Sequence, residues 1–162
     1  MREIRQAETA DFEQIWPFFQ EIVSAGETYT YPPDICKEDA QALWMTAPRK
    51  TFVVVEDGKI LGSYYIKTNQ SGGGSHICNC GYMVSASARG RGIASIMCEH
   101  SQMLARDLGY LAMQFNFVVS TNTEAVRLWQ KMGFEIVGEI PRAFQHPRLG
   151  FVSALVMYKQ LT

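Results

Sequence analysis

The chain has 162 residues, with 15 Lys and Arg against 16 Asp and Glu, and a formal net charge of −1. Its 47% hydrophobic and 12% aromatic content excludes a disordered chain, and its 19% charged content excludes a coiled coil. This length suits one domain, and the near-zero charge argues against a nucleic acid or an anionic membrane surface as partner. We therefore expect a single globular domain over residues 1–162.

The N-terminal segment has charges scattered among its apolar residues, and no apolar run approaches the roughly 20 residues that span a bilayer. Four cysteines without a secretory signal predict free thiols in a reducing compartment, hence a cytoplasmic location. Cys78 and Cys80 would share one face of a strand, but no second Cys or His pair with zinc-like spacing follows. We therefore expect no metal.

The first half of the chain changes from helical to strand periodicity. Apolar residues recur at helical spacing over 9–25, where Pro17 predicts a kink or a late helix start. An aromatic, proline-stopped loop, GETYTYPPD, separates it from a short helix over 35–47. From Thr51 the period becomes two, and Asp57-Gly58 predicts the tight turn of a β-hairpin.

The second half alternates strands and helices. The glycine-rich NQSGGGSH resembles a phosphate loop but lacks its Lys-Ser/Thr, so a hairpin connection is favoured. The remaining predicted elements are a strand over 76–85, a helix closed by Gly109, a strand over 111–119, a helix capped by Thr121 or Asn122 and ended by Gly133, and strands near 135–139 and 152–159, joined by the loop PRAFQHPRLG.

The turn between the strand at 76–85 and the following helix has the chemistry of an anion site. Gly90 and Gly92 would let a phosphate approach the main chain, while Arg89 and Arg91 supply positive charge next to a helix N-terminus. A glycine-softened turn with two solvated arginines explains these residues about equally well.

Two motifs resemble the GNAT superfamily of N-acetyltransferases. Arg89-Gly90-Arg91-Gly92-Ile93-Ala94 matches its acyl-CoA pyrophosphate loop, and Asn122-x-x-Ala125-x-x-Leu128-Trp129-x-x-x-Gly133-Phe134 resembles its second CoA-facing helix. The ETYTYPP segment and the C-terminal region more loosely resemble a branch that acetylates small amines and amino-acid analogues, including azetidine-carboxylate. The resemblance implies an α+β fold: a mixed, mostly antiparallel sheet of six or seven strands, flanked by about four helices and splayed for CoA.

The resemblance also implies where acetyl-CoA, the co-substrate, would bind. Main-chain groups of Met83 and Val84 would bond the pantetheine arm and polarise the thioester carbonyl. Backbone N–H groups from Arg89 through Ala94, including that of Ile93, would hold the pyrophosphate. Asn122 and Arg127 would lie along the CoA arm.

Two positions depart from the family pattern. Trp129 stands where the family often has a tyrosine, and indole cannot act as a general acid, so we expect Trp129 to pack on the core or on CoA. Cys78 stands near a position where some relatives have a basic glutamate. It is a catalytic candidate there, with a packing role as the alternative.

The remaining candidates concern the acceptor. Asn116, within an apolar strand, is either a buried amide or a polar group aimed at the reaction centre. Glu27 would orient or deprotonate the acceptor amine, with solvent exposure as the alternative. Four further residues are candidates to line the acceptor pocket, although a lone loop histidine is often only solvated: Tyr29, Tyr31, Phe144 and His146.

We expect an acetyl-CoA-dependent N-acetyltransferase that acts on a small-molecule amine or amino-acid-like acceptor by direct transfer in a ternary complex. The alternatives are an acetyltransferase for protein N-termini or lysines, and a non-catalytic acyl-CoA-binding module. A homodimer is compatible with this interpretation.

Overall fold

The computed structural model describes residues 1–162, which form a seven-stranded sheet and four helices. The strands are β1 (Arg2–Gln6), β2 (Lys50–Glu56), β3 (Lys59–Thr68), β4 (Ile77–Val84), β5 (Ala112–Val119), β6 (Glu135–His146) and β7 (Gly150–Gln160). The helices are α1 (Phe12–Ala25), α2 (Lys37–Gln41), which continues into a π-helical turn (Ala42–Thr46), α3 (Ile93–Asp107) and α4 (Thr123–Lys131).

The sheet order is β1-β2-β3-β4-β5-β7-β6, and every neighbouring pair is antiparallel except β4 and β5. This confirms the predicted α+β fold with a mixed, mostly antiparallel sheet. The predicted hairpin turn is also present, because Asp57 and Gly58 adopt φ angles of 51° and 76°. Two successive left-handed residues match the right-handed twist of the strands they join.

Helices cover both faces of the sheet. Period-two alternation along β3 sends Tyr64 toward the α3 side and Tyr65 toward the α1 side, where each joins a separate apolar cluster. Trp44 anchors the second cluster, and its indole N–H donates to the Ser63 hydroxyl at 2.9 Å. None of the helices combines the length and apolar character needed to cross a membrane.

The first helix begins later than its periodicity indicates. Residues Thr9–Asp11 form a 3-10 turn, and α1 then runs from Phe12 through the exposed Pro17 to Ala25. Arg5 of β1 donates two hydrogen bonds to the Asp11 carboxylate, at 2.8 and 3.0 Å. These bonds lower the pKa of Asp11 and tie the first strand to the start of the helix.

Two strands differ from the predictions. β1, an edge strand that pairs only with β2, was not predicted. A loop was predicted after residue 139, whereas β6 continues to His146. The strand passes Pro141 and Arg142 through an irregularity in its register, where Arg142 has a φ of 53°. Proline is tolerated because β6 is an edge strand, with one side free of hydrogen-bond partners.

Candidate active site

A cleft opens at the centre of the sheet, where β4 and β5 separate. These parallel strands pair only at Ile77 with Ala112 and at Cys78 with Met113. Beyond this fork β5 follows β7, with a register irregularity between Phe115 and Val118. The resulting cavity has a volume of about 780 Å³. Nine of the predicted site residues line it: Glu27, Tyr29, Tyr31, Met83, Val84, Arg89, Asn116, Asn122 and Trp129.

The register of β4 decides which main-chain groups face the cleft. The Ser85 amide donates to the Leu61 carbonyl of β3, which makes the Ser63–Met83 pair hydrogen-bonded as well. The alternate residues, Tyr82 and Val84, therefore point their main-chain groups toward the opening. This corrects the prediction that the main-chain groups of Met83 and Val84 both bond the pantetheine arm. The Met83 main chain hydrogen-bonds β3, and the residues whose main-chain groups face the cleft are Tyr82 and Val84.

One end of the cleft adjoins the N-terminus of α3. Gly90 and Gly92 adopt φ angles of 76° and 78°, and a Cβ at either position would have no heavy atom within 4 Å. The first helical bond runs from the Ile96 amide to the Gly92 carbonyl, at 3.2 Å. The amides of Ile93, Ala94 and Ser95 therefore have no acceptor within the helix. This open, donor-rich turn fits the predicted pyrophosphate loop in shape and in charge.

The two arginines of this loop have different surroundings. Arg89 lines the cleft, is exposed, and lies 3.9 Å from the Glu21 carboxylate. Arg91 does not line the cleft, because its guanidinium hydrogen-bonds the Glu56 carboxylate and lowers the pKa of that group. Of the two predicted phosphate partners, Arg89 is therefore the one positioned at the cleft.

An aromatic cluster forms the base of the cleft. The Trp129 ring lies 4.9 Å from Tyr82 and 5.0 Å from Phe115, between the two diverging strands. Trp129 is buried, in agreement with the expected packing role. Asn122, at the start of α4, lines the cavity, whereas Arg127 is exposed on α4 and lies outside it.

Tyrosines from the loop after α1 cover the other side of the cleft. Tyr29 and Tyr31 stack with their ring centroids 5.5 Å apart, and Tyr31 also stacks on Phe19. The Tyr29 hydroxyl donates to the Tyr82 carbonyl at 2.7 Å, so the loop is fastened to the open edge of β4. Burial raises the pKa of Tyr29 and of Tyr31, which keeps both hydroxyls protonated.

The predicted carboxylate Glu27 has a partner that sequence reasoning missed. Arg148, at the turn between β6 and β7, approaches the Glu27 carboxylate to 3.0 Å. The pair connects the tyrosine loop to the β6–β7 hairpin beside the cleft. No local sequence signal relates two positions 121 residues apart on different loops.

Polar side chains gather at the fork on the face of the sheet that carries the tyrosines. Asn79, which the sequence analysis did not single out, accepts a hydrogen bond from Tyr65 at 3.2 Å and donates to the Gln114 carbonyl at 2.9 Å. Asn116 is exposed to the cleft, which excludes the buried-amide alternative. Its amide donates to Asn69 at 2.6 Å and accepts from the Gln114 side chain at 2.9 Å.

Three further predicted site residues do not reach the cleft. Cys78 is fully buried in the cluster on the α3 side, because its position on β4 directs it away from the acceptor face. Phe144 is buried behind Phe117, with the two ring centroids 6.2 Å apart. His146 is neither a solvated side chain nor an acceptor-side base, because its buried ring accepts from the Arg148 and Leu149 amides at 3.2 Å each. It shapes the turn that carries Arg148.

Comparisons with known proteins agree with this geometry. The model of the acetyltransferase (GNAT) family matches residues 4–134. A GCN5-related N-acetyltransferase from Kribbella flavida has the same fold with a TM-score of 0.93 and 46% sequence identity, over 98% of this chain and 97% of that chain. The L-amino acid N-acetyltransferase AaaT of Escherichia coli (strain K12) is 30% identical over 141 residues, 83% of each protein. N-acetyltransferase aca1 of Schizosaccharomyces pombe is 39% identical over 84 residues, 52% of this chain and 40% of the yeast protein.

Proposed function

Since the chain belongs to the acetyltransferase (GNAT) family and is an acetyl-CoA-dependent acyltransferase, we propose that it acetylates the amine of a small molecule or an amino-acid-like acceptor. Transfer is direct, within a ternary complex. One observation carries the choice of a small acceptor: two loops border the acceptor side of the cleft. The stacked Tyr29 and Tyr31 cover it, and the Glu27–Arg148 ion pair links their loop to the β6–β7 hairpin.

The residues divide between the two substrates. Acetyl-CoA supplies the reactive thioester. The open amides of Gly92 through Ser95, with Arg89, would bind its pyrophosphate, and Asn122 and Trp129 would line the path of its arm. The free main-chain edge of β4 at Val84 would hold the pantetheine as an added strand does.

The acceptor amine attacks as a neutral nucleophile, so it must be oriented and must lose a proton. Asn116 and Asn79 lie at the fork, and each side-chain carbonyl keeps a second lone pair that can accept a hydrogen bond from the amine. Protonated tyrosines beside them can donate but cannot act as bases near neutral pH. Glu27 is the carboxylate that we propose to orient the amine or to accept its proton, and it forms an ion pair with Arg148.

A panel of acceptors tests this proposal through the release of CoA thiol from acetyl-CoA. Free amino acids and small amines are compared with peptides that carry a free N-terminus or an internal lysine. We expect kcat/KM for the best small acceptor to exceed that for every peptide by at least tenfold. A reversed order supports the protein acetyltransferase alternative. Binding of acetyl-CoA without turnover of any amine supports the non-catalytic alternative.

The location and the oligomeric state are further parts of the proposal. All four cysteines are free thiols, which suits a reducing, cytoplasmic environment. A homodimer is compatible with the apolar side chains exposed on the β6–β7 hairpin, which are Ile136, Val137, Ile140, Leu149 and Phe151. Sedimentation velocity at micromolar concentration tests the dimer, and a monomeric mass overturns it.

A further inference from the structure

One cation stands at the acceptor side of the fork without a carboxylate partner. Lys67 lies on β3 directly opposite Asn79 of β4, and its side chain lines the cleft. Its ammonium lies 5.5 Å from the centroid of the Tyr65 ring and forms no ion pair. The other cation that lines the cleft, Arg89, faces Glu21 at the α3 end.

The strand register places Lys67 among the polar groups of the fork. Side chains alternate along each strand, so Lys67 shares the face of Tyr65, and the pairing with β4 sets Asn79 beside it. Tyr65 both lies under the ammonium and donates to Asn79, so one ring positions both groups. Contact with an aromatic face restricts a flexible lysine without neutralising it.

The surrounding charges favour an anion at this point. Of the three carboxylates that line the cleft, Glu27 lies 3.0 Å from Arg148 and Glu21 lies 3.9 Å from Arg89, while Glu124 lies on α4. An acidic group entering the cleft would therefore meet a free ammonium and a compensated carboxylate. The amides of the fork donate to one another and to the main chain, so Lys67 is the strongest donor left for an incoming anion.

We propose that Lys67 binds the carboxylate of the acceptor, and that the acceptors are consequently α-amino or α-imino acids rather than simple amines. This inference rests on the proposed function. A single carbon separates the two groups of such a substrate. A carboxylate held by Lys67 thus keeps the amine beside Asn79, where β4 and β5 part.

Matched acceptors test the carboxylate directly. Each trio consists of an amino acid, its carboxamide and the corresponding amine without the carboxyl group: L-methionine, L-phenylalanine and L-proline provide three such trios. Conversion of the carboxylate to a carboxamide lowers the pKa of the amine and leaves more of it neutral near pH 7, so without recognition of the carboxylate the carboxamide should react faster than the acid. We expect the native protein instead to prefer the acid by at least tenfold in kcat/KM for the best trio.

Variants of Lys67 assign that preference to one side chain. Lys67→Met should raise KM for the acid at least thirtyfold, with kcat for the acid and kcat/KM for the amide changed less than about threefold. Lys67→Arg should recover most of the loss, and Lys67→Glu should invert the preference. Lys59→Met, at the exposed far end of the same strand, is the matched control and should change nothing.

Several outcomes overturn the inference. If the native protein uses acids and amides equally, or if Lys67→Met loses activity equally toward both, then Lys67 does not bind the carboxylate of the acceptor. The small-acceptor proposal is unaffected by either result. If the peptides of the preceding panel exceed every member of the trios, the proposed function fails, and this inference fails with it.

Discussion

Both the chemistry and the position of Trp129 predict a packing role and no role in proton transfer. Its indole has no proton to give at a useful pKa, and its ring is packed between Tyr82 and Phe115. Trp129→Phe should therefore keep kcat within about threefold and lower the free energy of unfolding by about 1–2 kcal/mol, because apolar contact is lost. Steady-state kinetics and urea unfolding measure the two effects.

Trp129→Ala serves as the larger packing control and should cost about 3–5 kcal/mol of stability. A fall in kcat of more than about a thousandfold in Trp129→Phe, or roughly 4 kcal/mol of barrier, with acetyl-CoA affinity unchanged, would give the ring a chemical role. The packing interpretation does not survive that result.

Glu27 and Arg148 allow the charge of the carboxylate to be separated from the ion pair. If Glu27 orients the acceptor amine, Glu27→Gln should lower kcat/KM for the acceptor at least tenfold, with the KM for acetyl-CoA within about threefold. Arg148→Gln leaves the carboxylate in place and should lower kcat/KM less than about threefold. An exposed pair contributes about 0–1 kcal/mol to stability, so neither variant should unfold.

Similar losses in the two variants would contradict a direct role for Glu27 and assign the effect to the link between loop and hairpin. Tyr31→Ala, which removes a ring that stacks on Tyr29, tests the same wall of the cleft. It should raise acceptor KM at least tenfold and leave the KM for acetyl-CoA within about threefold.

At single residues, local chemistry could be predicted but long-range contacts could not. The role of Trp129 follows from the properties of indole. The exposure of Asn116 depends on where β5 separates from β4. The placement of Asn79 at the acceptor site depends on its cross-strand hydrogen bond with Tyr65. Arg148 meets Glu27 only because of the length of the β6–β7 hairpin. A pattern read along the chain does not contain these distances.

Among the elements, the start of α3 makes the clearest prediction about cofactor binding. Gly92→Glu places a carboxylate at the open amides of the helix N-terminus, so acetyl-CoA binding should become undetectable by calorimetry. The control is Gly109→Glu beyond the other end of α3, where φ is 89° and a Cβ also meets no heavy atom within 4 Å.

Both glycine variants force a side chain into a left-handed conformation, which costs about 1–2 kcal/mol. Their melting temperatures should therefore fall by similar amounts. Only Gly92→Glu should lose acetyl-CoA. Binding of acetyl-CoA to Gly92→Glu as tightly as to the native chain would remove the phosphate site from this loop.

The open edge of β4 makes a second prediction, based on strand register. Val84 faces the cleft and Met83 faces β3. The Val84 amide hydrogen should exchange fast in the free protein, and saturating acetyl-CoA should lower its exchange rate at least tenfold. The Met83 amide should be protected in both states. NMR-detected exchange resolves the two amides. Equal behaviour of the neighbours would show that the register argument is wrong.

Elements were predictable where periodicity is strong. The β2–β3 hairpin combines clear alternation with an Asp-Gly turn, and both appear in the structure. β1 was not predicted because a charged edge strand buries little apolar surface, and Ile4 is its one residue that packs against the core cluster. The continuation of β6 was not predicted because Pro141 indicates a loop unless the strand is known to lie at the edge of the sheet.

For the molecule as a whole, the fork is the place where the sheet is least connected. In the strand ladder, β1–β4 and β5–β7 are joined only by the pairs Ile77–Ala112 and Cys78–Met113. Side-chain hydrogen bonds across the fork and the aromatic base of the cleft supply further contact. A ligand that lies between β4 and β5 contacts both parts, so its binding should stabilise the entire fold. At 100 times its Kd, acetyl-CoA should add about 2.7 kcal/mol.

For a domain of this size, that stabilisation corresponds to an increase in Tm of about 5–11 °C. Differential scanning fluorimetry with increasing acetyl-CoA measures it, and Gly92→Glu should show no increase. Desulfo-CoA carries the same pyrophosphate and should retain most of the increase, because the predicted contacts are to phosphate and pantetheine rather than to sulfur. An increase of the same size in Gly92→Glu would show that acetyl-CoA stabilises the fold from a site other than the N-terminus of α3.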